Sequence, residues 1–188
     1  MGLFDWFWRL LKWLGFLKEE SKILIVGLDN AGKTSMLHMI KEGQFIPFDR
    51  TTSYHVEEIE IEGIKVQAYD IGGHESVRDS WKEYFVGANA IVFVVDSSDR
   101  NRMSEARKEL NSLLRNEDLK DIPILVFGNK TDIAGALNYN ELRAELELPD
   151  TMLSSNTSKQ DRPLKLVMAS VKQNFGLRLG FKWLAENL

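Results

Sequence analysis

Gly27-Leu-Asp-Asn-Ala-Gly-Lys-Thr34 follows the apolar stretch Lys22-Ile-Leu-Ile-Val26 and runs into Lys33–Lys41, where Met36, Leu37 and Ile40 keep helical spacing. A Gly-x-x-x-x-Gly-Lys-Thr loop between a strand and a helix is built to hold phosphates. Its glycines let backbone N–H groups turn inward on the anion, and the helix N-terminus adds the positive end of its dipole. In such a loop Lys33 reaches the β- and γ-phosphates, and the Thr34 hydroxyl is placed for Mg²⁺. The loop alone does not name the base. Asn129-Lys-Thr-Asp132 does, because the Asp132 carboxylate can accept two parallel hydrogen bonds from guanine N1–H and N2–H₂. Adenine offers no such pair of donors, so the expected ligands are GTP and GDP.

The surrounding sequence supplies a matching frame. Val56–Glu62 and Ile64–Asp70, joined through Glu62-Gly63, read as a β-hairpin with Ile59, Ile61, Val66 and Ala68 on the inward side. Ala90–Val95, Pro123–Phe127 and Lys165–Ala169 are near-continuous apolar runs of the kind that form strands buried on both faces. Helical patterns lie between them at Ser76–Val86, Met103–Arg115, Asn140–Leu146 and Leu177–Asn187. This alternation predicts an α/β fold, a six-stranded mostly parallel sheet with one antiparallel hairpin strand and helices on both faces. Ligands then bind at the carboxyl ends of the strands, where each motif falls. The polar stretch Asp150–Arg162 reads as a long surface loop.

Three further positions follow from this layout. Asp70 closes a strand and is predicted to hold Mg²⁺ through a water, since that ion keeps much of its hydration shell. Gly73, in Asp70-Ile-Gly-Gly73, lets its N–H approach the γ-phosphate, a contact that exists only with GTP and makes the next segment a switch. His74 stands where an imidazole can orient the attacking water, and catalysis of this transfer is mostly positioning and charge stabilisation. His38 and His55 are read as structural. Asn129 is expected to brace the base and the phosphate loop, and the stem of Lys130 to cover a face of the purine. Ser170-Val171-Lys172, after the last apolar run, can offer backbone N–H groups to guanine O6.

The 188 residues suit one α/β domain, 21–188, with an appendage over 1–20. A net charge of −4 gives no nucleic-acid footprint. The absence of cysteine excludes disulfides, thiolate metal sites, S-palmitoylation and prenylation. The appendage is the unusual part. Leu3–Leu17 holds eleven large apolar residues, while Asp5, Arg9 and Lys12 share one narrow helical face. Leu3, Phe4, Trp6, Phe7, Trp8, Leu10, Leu11, Trp13 and Leu14 make up most of the remaining surface. Such a helix is about 22 Å long, short of the roughly 30 Å bilayer core, so the expectation is an interfacial helix and not a span. Arg9, Lys12 and Lys18 cancel Asp5, Glu19 and Glu20 in charge, which leaves apolar insertion as the driving force. A signal peptide fits poorly, since no basic region precedes the run and no small-residue cleavage pattern follows. Gly2 raises the question of N-myristoylation, but Trp6 breaks the Met-Gly-x-x-x-Ser/Thr pattern.

With these residues in place, the sequence resembles the Arf/Sar family of small GTPases over nearly its whole length. Leu28-Asp-Asn-Ala31, Asp70-Ile-Gly-Gly-His-Glu75 and Trp81-Lys-Glu-Tyr-Phe85 resemble that family rather than Ras or Rab types. His74, where Arf members carry Gln, is similar to the Sar branch, which starts the COPII coat at the endoplasmic reticulum. So are Leu37-His-Met-Ile40, the polar insertion before Arg162-Pro163, and Gly180-Phe-Lys-Trp-Leu184. The Trp-rich N-terminus resembles the Sar amphipathic helix, which works without a lipid.

The resemblance implies a P-loop small GTPase fold and slow intrinsic GTP hydrolysis, on the order of 10⁻⁴ to 10⁻² s⁻¹ without an arginine supplied in trans. No arginine in the sequence stands out for that role in cis. It implies phosphate contacts through Asn30, Ala31, Gly32, Lys33, Thr34 and Ser35, with Asp29 near the metal. Thr51 lies 19 residues before Asp70, the spacing of the family's switch threonine that joins Mg²⁺ with GTP bound. Arg50-Thr-Thr-Ser-Tyr-His55 lacks the proline-bearing switch of the Sar branch, so Thr52 is a rival to Thr51. Implied partners are an endoplasmic-reticulum membrane surface, coat subunits, an exchange factor and a GTPase-activating protein. The implied place is the cytoplasmic face of that membrane, in exchange with cytosol. The alternatives are an Arf-like GTPase of the Golgi or another membrane, tethered through myristoylated Gly2, and a GTP-binding interaction module with negligible turnover.

Overall fold

The computed structural model describes residues 21–47, 55–61, 64–70, 84–149 and 162–188. The 1–20 appendage with its apolar residues, the Glu62-Gly63 turn, Thr51, Thr52, Gly73 and His74 lie outside the described residues. So do most of the expected Ser76–Val86 helix and nearly all of the Asp150–Arg162 loop.

Six strands, β1 (Ile23–Val26), β2 (His55–Ile61), β3 (Ile64–Asp70), β4 (Ala90–Asp96), β5 (Ile124–Asn129) and β6 (Leu164–Met168), form one sheet in the order β2-β3-β1-β4-β5-β6. β3, β1, β4, β5 and β6 run parallel to one another. β2 pairs antiparallel with β3, from His55 opposite Asp70 to Ile61 opposite Ile64. This is the sheet the hydrophobic pattern predicts. β1 and β5 are buried at every residue, and β4 at all but Asp96. Their apolar runs are continuous because helices cover both faces.

Strand alternation then divides the core in two. Ile23, Ile25, Val92, Val94, Leu125 and Phe127 face α1 (Lys33–Glu42) and α4 (Leu177–Glu186). Leu24, Val26, Ile91, Phe93, Ile124 and Val126 face α2 (Met103–Leu114) and α3 (Tyr139–Glu145). On α1 the inward stripe is Met36, Leu37 and Ile40; on α2 it is Met103, Ala106, Leu110 and Leu113. The Phe127 and Phe181 rings meet at 5.5 Å and 50°, a tilted contact that keys α4 to β5.

Two boundaries depend on side-chain chemistry beyond periodicity. α3 starts one residue before the expected Asn140. The Asn138 carboxamide accepts from the Asn140 and Glu141 amides, and Glu141 accepts from the Asn138 amide, a reciprocal cap that fixes the first turn. At the other end of α2, the Arg162 guanidinium gathers the carbonyls of Leu113, Leu114, Asn116 and Lys120 at 3.0–3.4 Å. Leu113 and Leu114 sit in the last turn of α2, where carbonyls run out of intrahelical donors, so Arg162 helps close that end of the helix and ties it to the strand that follows. Burial pushes its pKa down, against the opposing pull of Asp121 and Glu117.

Candidate guanine-nucleotide site

β1 lies between β3 and β4, so the connections leaving it and its neighbours diverge at its carboxyl end. That divergence opens a crevice above the sheet, and the phosphate loop occupies it. Gly27 leaves β1 at φ 143°, and a Cβ there would run into the Val94 carbonyl of β4. Gly32 turns into α1 at φ 96°, where a Cβ would strike the Asn129 carboxamide. Asn30 also takes a left-handed conformation, φ 61°. The tight loop brings Lys33 to the first turn of α1 with only 2% of its surface exposed. Its ammonium donates to the Leu28 carbonyl at 2.6 Å, which arches the side chain back under the loop.

The second motif is level with the first. Asn129 closes β5 directly opposite Asp96 of β4, and its buried carboxamide ties three segments together. Nδ2 donates to the Ala31 carbonyl at 2.8 Å, while Oδ1 accepts from the Val171 amide at 3.0 Å. A single side chain thus ties the phosphate loop to the 170–172 turn. Lys130 leaves the strand at φ 64° and places Nζ 2.7 Å from Asp96 Oδ2. The Ser170 hydroxyl donates to Asp132 Oδ1 at 2.6 Å and accepts from the Gln173 amide at 3.1 Å. Thr131 adds a bond from its hydroxyl to the Ala169 carbonyl at 3.0 Å. Asp132, Ser170 and Val171 therefore converge on one corner, with Lys172 exposed beside them.

The structure adds partners that the sequence does not announce. Asp29 forms a close ion pair with Arg102, whose Nη1 also donates to the Asp29 carbonyl at 3.3 Å. Arg102 Nε bonds Glu105 at 3.0 Å. Burial pushes the Asp29 carboxyl up, but the hydrogen bond and charge of Arg102 outweigh it, with Lys33 adding to them. Its pKa stays below the usual carboxylate value. Burial likewise lowers Arg102, and its bonds to Asp29 and Glu105 more than offset this. The guanidinium therefore acts as a brace on the phosphate loop. Asp96, the second addition, had a legible signal: like Asp70, it is a carboxylate ending an apolar strand. Arg102 had none.

No group of three or more His, Cys, Asp or Glu side chains among the described residues could hold a metal ion by itself. Mg²⁺ at a nucleotide draws most of its ligands from phosphate oxygens and water, with one or two hard oxygens from protein. Thr34 lies at the start of α1, and Asp70 ends β3, the strand that pairs parallel with β1.

An α/β sheet with a Gly-x-x-x-x-Gly-Lys-Thr loop at its switch point and Asn-Lys-Thr-Asp at the adjacent strand end defines a P-loop GTP-binding protein. Residues 7–188 match the ADP-ribosylation factor family. The chain is 37% identical over 191 residues to the small COPII coat GTPase SAR1 of Giardia intestinalis, covering 100% of both chains. It is 36% identical over 188 residues to ADP-ribosylation factor-like protein 3 of Chlamydomonas reinhardtii, covering 100% of this chain and 99% of the relative. It is 37% identical over 185 residues to the small COPII coat GTPase SAR1B of Dictyostelium discoideum, covering 98% and 95%. The chain belongs to the Arf/Sar family of small GTPases, and GTP hydrolysis is its activity.

Proposed function

We propose that this chain is a membrane-recruited GTPase switch of the Sar type, acting in COPII-type vesicle budding from the endoplasmic reticulum. His74 carries this reading, standing where Arf members have Gln, and the full-length similarity to two COPII coat GTPases supports it. Residues 21–188 form the GTP-binding domain and 1–20 the membrane-binding helix. Lys33 and the amides of Asn30–Ser35 hold the phosphates; Asn129, Lys130, Asp132 and Ser170–Lys172 hold the guanine. Thr34 and Asp70, with Asp29 nearby, hold Mg²⁺, which neutralises phosphate charge when bound. Thr51, or its neighbour Thr52, joins them in the GTP state. The differential contact that drives the switch is the γ-phosphate, which draws this threonine and Gly73 inward. The hairpin β2–β3 lies between those two positions in the chain, and its shift releases the N-terminal helix to the bilayer. Exchange factor, activating protein and coat subunits read the two states.

His74 orients the attacking water, so its role belongs to the transition state. His74→Gly is expected to leave nucleotide affinity near the parent value and to lower activator-stimulated hydrolysis by at least about tenfold. Single-turnover phosphate release at saturating activator measures this. An unchanged rate returns His74 to a structural role.

The membrane half is tested by flotation with liposomes, comparing GDP with a non-hydrolysable GTP analogue. Burying even three of the large apolar side chains of Leu3–Leu17, at ~1.5–3 kcal/mol each, suffices for reversible binding. Deleting Met1–Leu17, or changing Trp6, Trp8 and Trp13 together to Ala, is expected to abolish GTP-dependent flotation and to spare nucleotide exchange. Because the segment's charges cancel, added salt changes parent binding little. Persistent binding by the truncated protein, or strong salt sensitivity of the parent, refutes insertion of this helix.

A second reading rests on Gly2 and on the full-length similarity to an Arf-like protein. It is a myristoylated GTPase of the Golgi or another membrane. Intact mass after co-expression with a myristoyltransferase separates the two: added mass of one myristoyl chain supports the second.

A further inference from the structure

The seven residues Asp96–Arg102, which join β4 to α2, touch both halves of the nucleotide site. At one end Asp96 Oδ2 grips Lys130 Nζ at 2.7 Å, while Oδ1 accepts from the Ser98 amide at 2.9 Å and its hydroxyl at 2.6 Å. Lys130 belongs to the base motif. At the other end Arg102 bonds the carboxylate and carbonyl of Asp29, inside the phosphate loop. Between these ends the segment is stitched to the base side of the site. The Ser97 amide donates to the Asn129 carbonyl at 2.9 Å, the Leu137 amide donates to the Ser97 carbonyl at 2.8 Å, and Arg100 Nε donates to the Gly135 carbonyl at 3.2 Å. The segment closes as a 3₁₀ turn over Arg100–Arg102, which delivers Arg102 to the loop.

The phosphate-loop end has a different character. Only a small recess lies between the loop and the segment, lined by Leu28, Asp29, Ala31, Val95, Asp99 and Met103. Leu28 packs on the apolar core beneath, and Arg102 adds a polar bridge from the segment to Asp29. A bidentate guanidinium is suited to that task, because its planar fork fixes orientation as well as distance. Both ion pairs are largely shielded, with side-chain exposures of 27% and 20% for Arg102 and Asp29, and 23% and 12% for Lys130 and Asp96. Solvent screens them less than a surface pair.

We propose that Asp96–Arg102 is a positioning strap that sets the lifetime of bound guanine nucleotide, holding Lys130 across the purine through Asp96 and the phosphate loop through Arg102. It rests on the reading of Lys130 and the Asp29 loop as nucleotide contacts. Asp96 and Arg102 act through Lys130 and Asp29, so the effect falls on how long the bound geometry persists. Because the strap is one short segment, releasing either end loosens the other. A factor that pulls on this connection speeds nucleotide release without entering the pocket.

The test is dissociation of a fluorescent N-methylanthraniloyl GDP from full-length protein at fixed excess Mg²⁺. Arg102→Ala and Asp96→Asn are each expected to accelerate release about tenfold, as for loss of a charge-assisted bond. The double variant is expected to release no more than about twice as fast as the faster single variant, the signature of one coupled unit. Arg107→Ala on α2, which breaks the 2.8 Å pair with Glu147 just past α3, serves as the control with a parent-like rate. Arg102→Lys keeps the charge without the fork and is expected to fall between parent and Arg102→Ala; it decides the question if the alanine variant fails to fold. Parent-like release in Arg102→Ala with a lowered melting temperature reduces Arg102 to a fold brace and overturns the proposal. Multiplicative rates in the double variant overturn the single strap. Failure of the underlying site reading shows separately, as unchanged GDP binding in Asp132→Asn.

Discussion

Asp132→Asn is expected to bind xanthine nucleotides in preference to guanine nucleotides. The Ser170 hydroxyl donates to Asp132 Oδ1 at 2.6 Å and is itself held by the Gln173 amide. An asparagine at this position keeps that bond through its own carbonyl oxygen, which fixes where its NH₂ group points. The amide then presents a donor where the carboxylate presented an acceptor. Guanine N2–H₂ meets a second donor there, whereas the C2 carbonyl of xanthine meets a partner. Losing one charge-assisted bond costs about 1.5–3 kcal/mol, and opposing two donors adds to it. GDP affinity should therefore fall by about a hundredfold or more, with the xanthosine nucleotide gaining. Equilibrium titration with both nucleotides checks this. A variant that holds GDP as tightly as the parent disproves the base pocket.

Lys33→Ala is expected to weaken GTP binding by at least about a hundredfold and GDP binding by less. The ammonium is buried, and one of its three donors satisfies the Leu28 carbonyl at 2.6 Å. Removing it takes away the donor that arches the loop and, in the proposed site, the charge that neutralises the β- and γ-phosphates. GTP loses more because it presents the γ-phosphate as well. Affinities for both nucleotides at fixed Mg²⁺ measure the difference. GTP and GDP affinities within about threefold of the parent values would remove Lys33 from the phosphate site.

The two variants bracket what was legible beforehand. Both positions lie in short contiguous motifs, because the chemistry they perform is contiguous. Successive backbone amides must wrap a phosphate, and one carboxylate just past a strand must meet the edge of a base. The strands were legible for a related reason: β1, β4 and β5 are covered on both faces, and that burial leaves an unbroken apolar run. Where local chemistry lay outside the apolar period, the reading slipped. The cap formed by Asn138 and Glu141 moved the start of α3 by one residue.

Arg102 belongs to a different kind of information. It stands 73 residues from Asp29, on a helix entry with no motif around it. Nothing nearby in the chain distinguishes it from Arg100 or Arg107. Only the sheet order, which sets the exit of β4 beside the exit of β1, brings the guanidinium to the phosphate loop. The same holds for Arg162, whose four carbonyl partners come from the far end of α2 and the turn beyond it. Asn129 stands between the two cases. Its motif marked it as a base-site residue, but its bonds to Ala31 and Val171 required three strand ends to be level.

By itself, then, the sequence determined the ligand class, the strands, the helices at Lys33–Glu42, Met103–Leu114, Tyr139–Glu145 and Leu177–Glu186 to within a residue or so, and the apolar character of the N-terminal segment. Each of these depends on residues close together in the chain, through motif spacing, periodicity or local composition. Tertiary structure decided which charges pair across the site, how the base and phosphate halves are held in register, and which helix end is closed from afar. Those outcomes depend on which strand ends lie side by side, and ion pairs and hydrogen bonds act only over a few ångströms of space, whatever the separation along the chain.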